Sequence, residues 1–215
     1  MEIRSNDHAV QIISELVNAV QSRKKTDRYK AIDELSLFAS KDIISILSSI
    51  QISSLISSLW TFTDSELGSY LELTKNLDVN DDSNGNHIIS KPKPKPNSTA
   101  SKIAVSLSKC SVTLTKIFEF AKPSQLSKQS IINSITHVIN ILEKDVSNLS
   151  NEITRHYTVI ICHILSNTHT RNALDVNIYD DLFHTCSYLL RVQTNKYDSL
   201  RPTNEVGFYK YYKSR

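Results

Sequence analysis

Glycine is the residue whose scarcity most constrains what this chain can fold into. Only three residues are glycine (Gly68, Gly85 and Gly207), and no two of them lie within fifteen residues of each other. Phosphate-binding loops of the GxGxxG or GxxxxGK type need clustered glycines, because the backbone must approach the phosphates closely. The sequence therefore excludes mononucleotide-binding α/β folds and protein-kinase folds within this chain, and its long stretches without turn residues favour helices over strands.

Apolar residues recur at intervals of three and four along most of the chain, which predicts amphipathic helices. The predicted helices cover residues 8–20, 26–39, 42–50 with Asp42 as N-cap, 51–77 with Asp64 as a candidate cap, 103–121, 124–146 with Ser124 as cap, 150–166 and 177–193. Their apolar faces include Ile50, Phe183, Cys186 and Leu190. Successive helix pairs of this size predict an all-α fold, a HEAT-like α-solenoid of antiparallel helix pairs, with an irregular helical bundle as the alternative.

The composition changes abruptly at residue 78, which divides the predicted domains. Residues 78–98 are acidic at first and then alternate lysine with proline, so they predict a flexible, disordered linker. This divides the chain into amino-terminal helices (1–77) and a run of helical repeats (99–215), which we expect to be truncated. Lys91, Lys93 and Lys95 in the linker could contact phosphates, although a solvated linker is the favoured interpretation.

The aromatic and cationic residues from 208 to 215 could stack on nucleobases, so a contact with DNA is a second hypothesis for this part of the chain. The favoured interpretation is the start of another helix, whose aromatic side chains need a neighbour to cover them.

Cysteine and histidine residues give a weak signal for chemistry. Cys110, Cys162 and Cys186 each lie in an apolar stretch, which predicts buried, reduced thiols. His156 and Cys162 could approach His163 or Cys186 and form a zinc site, but CxxC and HxxxH spacings are absent, so ordinary core residues are the favoured interpretation. The sequence predicts no catalytic residue, no cofactor and no metal.

The most informative pattern spans residues 20–32. It reads hydrophobic-x-x-x-Lys-x-x-Asp-Arg-x-x-x-hydrophobic, and its positions are filled by Val20, Lys24, Asp27, Arg28 and Ile32, with the small hydroxyl residue Ser22 between the first two. This pattern resembles the TAN motif near the amino terminus of the ATM-type checkpoint kinases, including the fungal telomere-length kinases. Val20 and Ile32 stand where leucine is common in that family. The layout of helices, polar interruption and helices is also similar, though more weakly.

The resemblance implies a function as well as a fold. It implies the amino-terminal scaffold of an ATM-like serine/threonine protein kinase that acts in telomere-length maintenance and in the response to DNA double-strand breaks. In that family the region docks protein partners, notably the MRN-type break-sensor complex, in the nucleus. Any phosphotransfer would belong to sequence outside these residues.

The motif can be interpreted either as a joint between two helices or as a contact for a partner. Asp27 near a helix start meets the positive end of the helix dipole. Lys24 or Arg28 is expected to pair with Asp27 or Glu34, while Val20 and Ile32 would hold the two helices together. Both interpretations stay open at this point.

A function of another class is the alternative. Small helical modules of the VHS and ENTH type bind phosphoinositides or sorting peptides in membrane trafficking. Such a module needs a clustered basic pocket on its first helices, and the chain offers five cations there: Arg23, Lys24, Lys25, Arg28 and Lys30.

Overall fold

A computed structural model of the chain describes residues 5–75, 98–145 and 151–199. These residues form helices and one 3-10 turn, Pro123–Gln125, and contain no strand. The helices are α1 (Asn6–Val20), α2 (Lys25–Phe38), α3 (Lys41–Ile46), α4 (Ser49–Lys75), α5 (Thr99–Phe120), α6 (Lys128–Asp145), α7 (Asn151–Ser166), α8 (Thr168–Arg171) and α9 (Val176–Ser199). The predicted all-α fold class is therefore confirmed.

Serine side chains mark the starts of three helices. The Oγ atoms of Ser5, Ser40 and Ser98 each accept a hydrogen bond from the backbone N–H three residues further on, at 3.2, 3.4 and 3.1 Å. Such a bond satisfies one of the backbone donors that have no partner within the first turn. These caps give the start signals in a chain whose serine and isoleucine content lowers its intrinsic helix propensity.

Three predicted caps are wrong. Asp42 lies within the first turn of α3, because Ser40 occupies the N-cap position. Asp64 lies in the middle of α4, which runs without interruption as one helix. Ser124 lies inside the 3-10 turn, and the hydroxyl of Ser127 instead accepts a backbone N–H at the start of α6.

Helix α5 lies at the centre of the described structure. It contacts α2, α3, α4 and α7, and its inner face is fully buried, with Ile103, Leu107, Cys110, Leu114 and Ile117. Each fully buried aliphatic side chain of this size is worth about 1.5–3 kcal/mol. Because α2 and α4 precede the predicted linker and α5 follows it, one hydrophobic core joins the two sides.

Two lysines of α5 hold the carboxyl-terminal half of α2. The Nζ atom of Lys109 lies 2.7 Å from Oδ1 of Asp33. Lys116 donates to the backbone carbonyl of Ser36 at 3.0 Å. Cations are favourable near the negative end of a helix dipole, so these contacts fix α2 against α5 by charge as well as by apolar packing.

Gln125, in the 3-10 turn, performs a similar task at the end of α3. Its buried amide Nε2 donates to the carbonyl of Ile44 at 3.0 Å and also to the carbonyl of Leu47. The last carbonyls of a helix have no partner within that helix. A side chain from a distant part of the chain therefore satisfies them.

Several residues predicted to be buried are exposed. Ile50 lies on the outer side of the first turn of α4. Phe183 and Leu190 lie on the outer side of α9, because α6 makes the main helix contact with α9 and covers only one of its faces. The thiols of Cys162 and Cys186 are likewise exposed. The prediction of buried thiols is thus correct for Cys110 and wrong for these two.

The larger-scale predictions have different outcomes. The predicted linker, residues 78–98, lies outside the described residues except for Ser98, which caps α5. The division into 1–77 and 99–215 and the HEAT-like solenoid stay predictions. None of the described helices combines the length and the apolar character needed to cross a lipid bilayer.

Candidate functional site

The motif of residues 20–32 spans the connection between α1 and α2. Val20 is the last residue of α1, and Ile32 lies in the second turn of α2. Both side chains are buried in the main hydrophobic core. The two apolar positions therefore anchor the helices on either side of a short polar connection.

Ser22 organises that connection. Its Oγ atom accepts a hydrogen bond from the backbone N–H of Lys24 at 3.2 Å, and its hydroxyl lies 3.5 Å from Oδ2 of Asp27. Its backbone carbonyl accepts a hydrogen bond from Nη1 of Arg28 at 3.3 Å. A small hydroxyl residue at this position thus links three other motif residues into one turn.

Arg28 points inward and forms a buried ion pair with α4. Its Nη2 atom lies 2.5 Å from Oε1 of Glu66. The Glu66 side chain is 0 % exposed and that of Arg28 is 15 % exposed. A buried carboxylate is costly unless cations and hydrogen bonds compensate it. Arg28 therefore makes the position of α2 depend on that of α4.

Tyr29 completes the surroundings of this carboxylate. Its hydroxyl donates to Oε2 of Glu66 at 2.5 Å, and Nζ of Lys25 lies 4.0 Å from the same oxygen. Burial and the hydrogen bond to Glu66 raise the pKa of Tyr29 above its usual value, so the phenol stays a neutral donor. Its ring meets Phe62 edge-on, with 5.9 Å between centroids.

The polar side chains of the joint contact one face of α4. Ser58, Phe62 and Glu66 follow each other at intervals of four and so lie on the same side of the helix. Ser58 accepts a hydrogen bond from Nε2 of Gln21 at 2.9 Å, just before the turn. Glu66 is not among the residues that the motif predicts for this site. A signal for it is present in the sequence, because Glu66 is an acidic residue on the stripe that also holds Leu59 and Phe62.

The outer part of the motif is different. Lys24 and Asp27 are exposed, and neither has an ion-pair partner among the described residues. The predicted pairing of Lys24 or Arg28 with Asp27 or Glu34 is wrong, because Arg28 pairs with Glu66, and the neighbour of Glu34 is Lys30 at 3.8 Å. The surface of the joint thus displays two motif charges that form no ion pair within the described residues.

The basic pocket of the alternative interpretation is reduced in the structure. Arg28 is committed to Glu66, and Lys30 lies beside Glu34. Arg23, Lys24 and Lys25 are left as exposed cations at the joint. The lysines at 91, 93 and 95 and the aromatic segment 208–215 lie outside the described residues.

The candidate metal ligands do not come together. Within the described ranges, no group of three or more histidine, cysteine or acidic side chains is arranged to hold a metal ion. Cys110 is fully buried, and burial raises the pKa of its thiol to about 12, which makes it a poor nucleophile.

The fold is that of a helical module with a motif between its first two helices. Part of this motif is buried and holds α2 against α4, and the other part is exposed. A family model described as telomere-length maintenance and DNA damage repair, the TAN family, matches residues 13–180. Since this match covers most of the chain, the chain belongs to the TAN family, whose role is in telomere-length maintenance and DNA damage repair. Comparisons with curated proteins and with solved structures give no significant match.

Proposed function

We propose that this chain is the amino-terminal docking region of an ATM-like serine/threonine protein kinase in the nucleus, where it recruits the kinase to telomeres and to DNA double-strand breaks. Membership of the TAN family supports the telomere and repair role. The resemblance of the motif to that of ATM-type kinases supports the link to a kinase. The chain itself acts as a scaffold.

The observation that carries this proposal is that some residues of the motif are buried in the fold and others are exposed. Val20, Arg28 and Ile32 are committed to packing, whereas Lys24 and Asp27 are exposed and have no ion pair in the described structure. Both side chains are therefore accessible to a partner surface with a complementary pair of charges. We propose the MRN-type break-sensor complex as that partner.

Charge reversal at the exposed pair tests the docking function. Lys24→Glu and Asp27→Lys, introduced into the full-length protein in cells, should shorten telomeres and weaken recovery of the protein with the break-sensor complex. The fold should persist, since both side chains lie outside the core. Telomere length is measured by Southern blotting, and folding by circular dichroism of the isolated chain.

A matched control lies at the start of α3. Lys41 and Asp42 are an exposed lysine and aspartate in the first turn of a neighbouring helix. Lys41→Glu and Asp42→Lys impose the same change of charge and the same small loss at a helix start. They should leave telomeres at normal length. Normal telomeres with Lys24→Glu and Asp27→Lys would contradict the docking proposal.

The link to a kinase has its own test. The reading frame of the gene should continue beyond residue 215 and encode a serine/threonine kinase domain. A stop codon directly after Arg215 in the transcript would contradict that part of the proposal and would leave the family role unaffected.

A further inference from the structure

The connection between α1 and α2 contains the only run of three consecutive cationic residues in the sequence. Arg23, Lys24 and Lys25 come directly before the hydroxyl residue Thr26. Basophilic protein kinases, whose substrate groove is acidic, select serine or threonine hydroxyls that have cations two and three residues earlier in the chain. The sequence around Thr26 therefore has the charge pattern of a substrate for a kinase of this class.

The structure presents this segment to solvent. The three cations and Thr26 are all exposed. Arg23 and Lys24 form no ion pair within the described residues. The hydroxyl of Thr26 lies 3.5 Å from Oδ1 of Asp27, a distance too long for a strong hydrogen bond. A kinase can therefore reach both the hydroxyl and the two cations by which it recognises the segment.

The backbone at this point also suits a kinase, because kinases bind their substrates in an extended conformation. Lys24 has extended backbone angles, with φ −84° and ψ 119°, and its side chain does not cap α2. Serine side chains, by contrast, cap α1, α3 and α5. The first turn of an uncapped helix opens more easily, since its backbone donors lack partners. Thr26 lies in that turn of α2.

A second threonine shares part of the sequence pattern but lies in a different setting. Arg155 is three residues before Thr158, which is also exposed. Thr158 lies in the middle of α7, and its hydroxyl donates to the backbone carbonyl of Thr154 at 2.9 Å. An extended conformation at this point would break the hydrogen bonds of the helix on both sides. The structure therefore distinguishes Thr26 from Thr158, although each has an arginine at the same distance.

We infer that Thr26 is a phosphorylation site for a basophilic protein kinase that uses ATP. In the reaction the bond between the γ-phosphorus of ATP and the bridging oxygen breaks, and a bond from that phosphorus to Oγ1 of Thr26 forms. The hydroxyl proton passes to the catalytic base of the kinase, and ADP leaves. The three cations and the carboxylate of Asp27 give the exposed joint a formal charge of +2. A phosphate of about −1.5 to −2 at pH 7 cancels that charge.

The regulatory meaning of this site rests on the proposed docking function. Lys24, one of the two motif charges offered to the partner, is two residues before Thr26 in the sequence, and Asp27 directly follows Thr26. A phosphate pairs strongly with nearby cations, so it competes with the partner for Lys24. It also adds a second anion beside Asp27. Phosphorylation of Thr26 therefore releases the partner.

Phosphorylation of the full chain in vitro tests the site. The catalytic subunit of cAMP-dependent protein kinase, with ATP and Mg²⁺, should modify Thr26 about tenfold faster than Thr158 or better. Mass spectrometry of chymotryptic peptides locates the phosphate, and circular dichroism shows that the chain stays folded. Thr26→Val should remove the modification. Arg23→Ala/Lys24→Ala should slow it by about tenfold, because the cations that the kinase recognises are gone.

Two results would overturn the site. One is a folded chain that the kinase does not modify at Thr26. A peptide of residues 18–30 then shows whether the fold or the sequence is responsible. The other is a folded chain in which Thr158 is modified as fast as Thr26.

Substitution in the full-length protein in cells tests the regulation. Thr26→Glu places an anion at this position and should shorten telomeres, as Lys24→Glu does. Thr26→Val and the matched control Thr158→Glu should leave telomeres at normal length. Shortening by Lys24→Glu without shortening by Thr26→Glu would contradict the regulation and leave the docking function intact. Normal telomeres in both variants would contradict the docking function and its regulation together, and the assay in vitro decides separately whether Thr26 is a substrate.

Discussion

Replacing Arg28 by methionine removes the closer of two cationic partners of the Glu66 carboxylate, which has no contact with solvent. Breaking a buried ion pair from one side costs about 3–5 kcal/mol, because the other charge stays buried. Arg28 is 15 % exposed, and Tyr29 still donates to Glu66, so we expect the lower end, about 3 kcal/mol. For a chain of this size that corresponds to a fall in Tm of roughly 6–12 °C. Urea and thermal unfolding, followed by circular dichroism, measure both quantities.

The double variant Arg28→Met/Glu66→Leu separates the loss of the pair from the loss of packing. Because it removes both buried charges together, its stability should return to within about 1 kcal/mol of the wild type. Lys30→Met is the matched control. It removes an exposed lysine that lies 3.8 Å from Glu34, and it should cost no more than about 0.5 kcal/mol. Equal losses for Arg28→Met and Lys30→Met would refute the view that Arg28 braces the fold.

Three further predictions concern the cysteine thiols, the Gln125 side chain and the Tyr29 hydroxyl. Ellman's reagent should modify Cys162 and Cys186 in the folded chain, whereas Cys110 should react only after unfolding. Rapid reaction of all three thiols would contradict the burial of Cys110. Gln125→Ala should lower the free energy of unfolding by about 1–3 kcal/mol, because it removes the side-chain donor that the buried carbonyls of Ile44 and Leu47 share. An unchanged urea midpoint would contradict this. Tyr29 has a folded-state pKa above the unfolded value of about 10, so its contribution to stability is present below that pH and is lost as the pH rises further. The urea midpoint should therefore fall more steeply above about pH 10 in the wild type than in Tyr29→Phe.

The helices could be predicted from the sequence because their signal is local. The spacing of apolar residues depends only on the 3.6-residue period, and it located every described helix except the short α8, with all ends but that of α9 within four residues. The caps were harder, since several polar residues compete for each helix start. Ser40 and Asp42 can both accept a first-turn N–H, and only the path of the chain decides between them. Asp64 resembles a start signal, yet an aspartate is tolerated inside α4 where its side chain is half exposed.

The site could be predicted only in part, because its brace is a long-range contact. The motif residues follow from their spacing within thirteen positions of sequence. Glu66 lies 38 residues after Arg28, and their pairing depends on how α4 packs against α2. The same limit applies to Phe183 and Leu190. An apolar periodicity shows that a face is apolar, but it does not show which neighbour covers it.

The central position of α5 has a consequence for synthesis on the ribosome. Chains fold as they emerge, amino terminus first, yet the inner faces of α2 and α4 pack against a helix that begins only at Thr99. Until residue 120 has left the exit tunnel, the apolar surfaces of α2, α3 and α4 lack the helix that covers them. Nascent chains stalled before this point should be bound by chaperones, and those stalled well beyond it should be released.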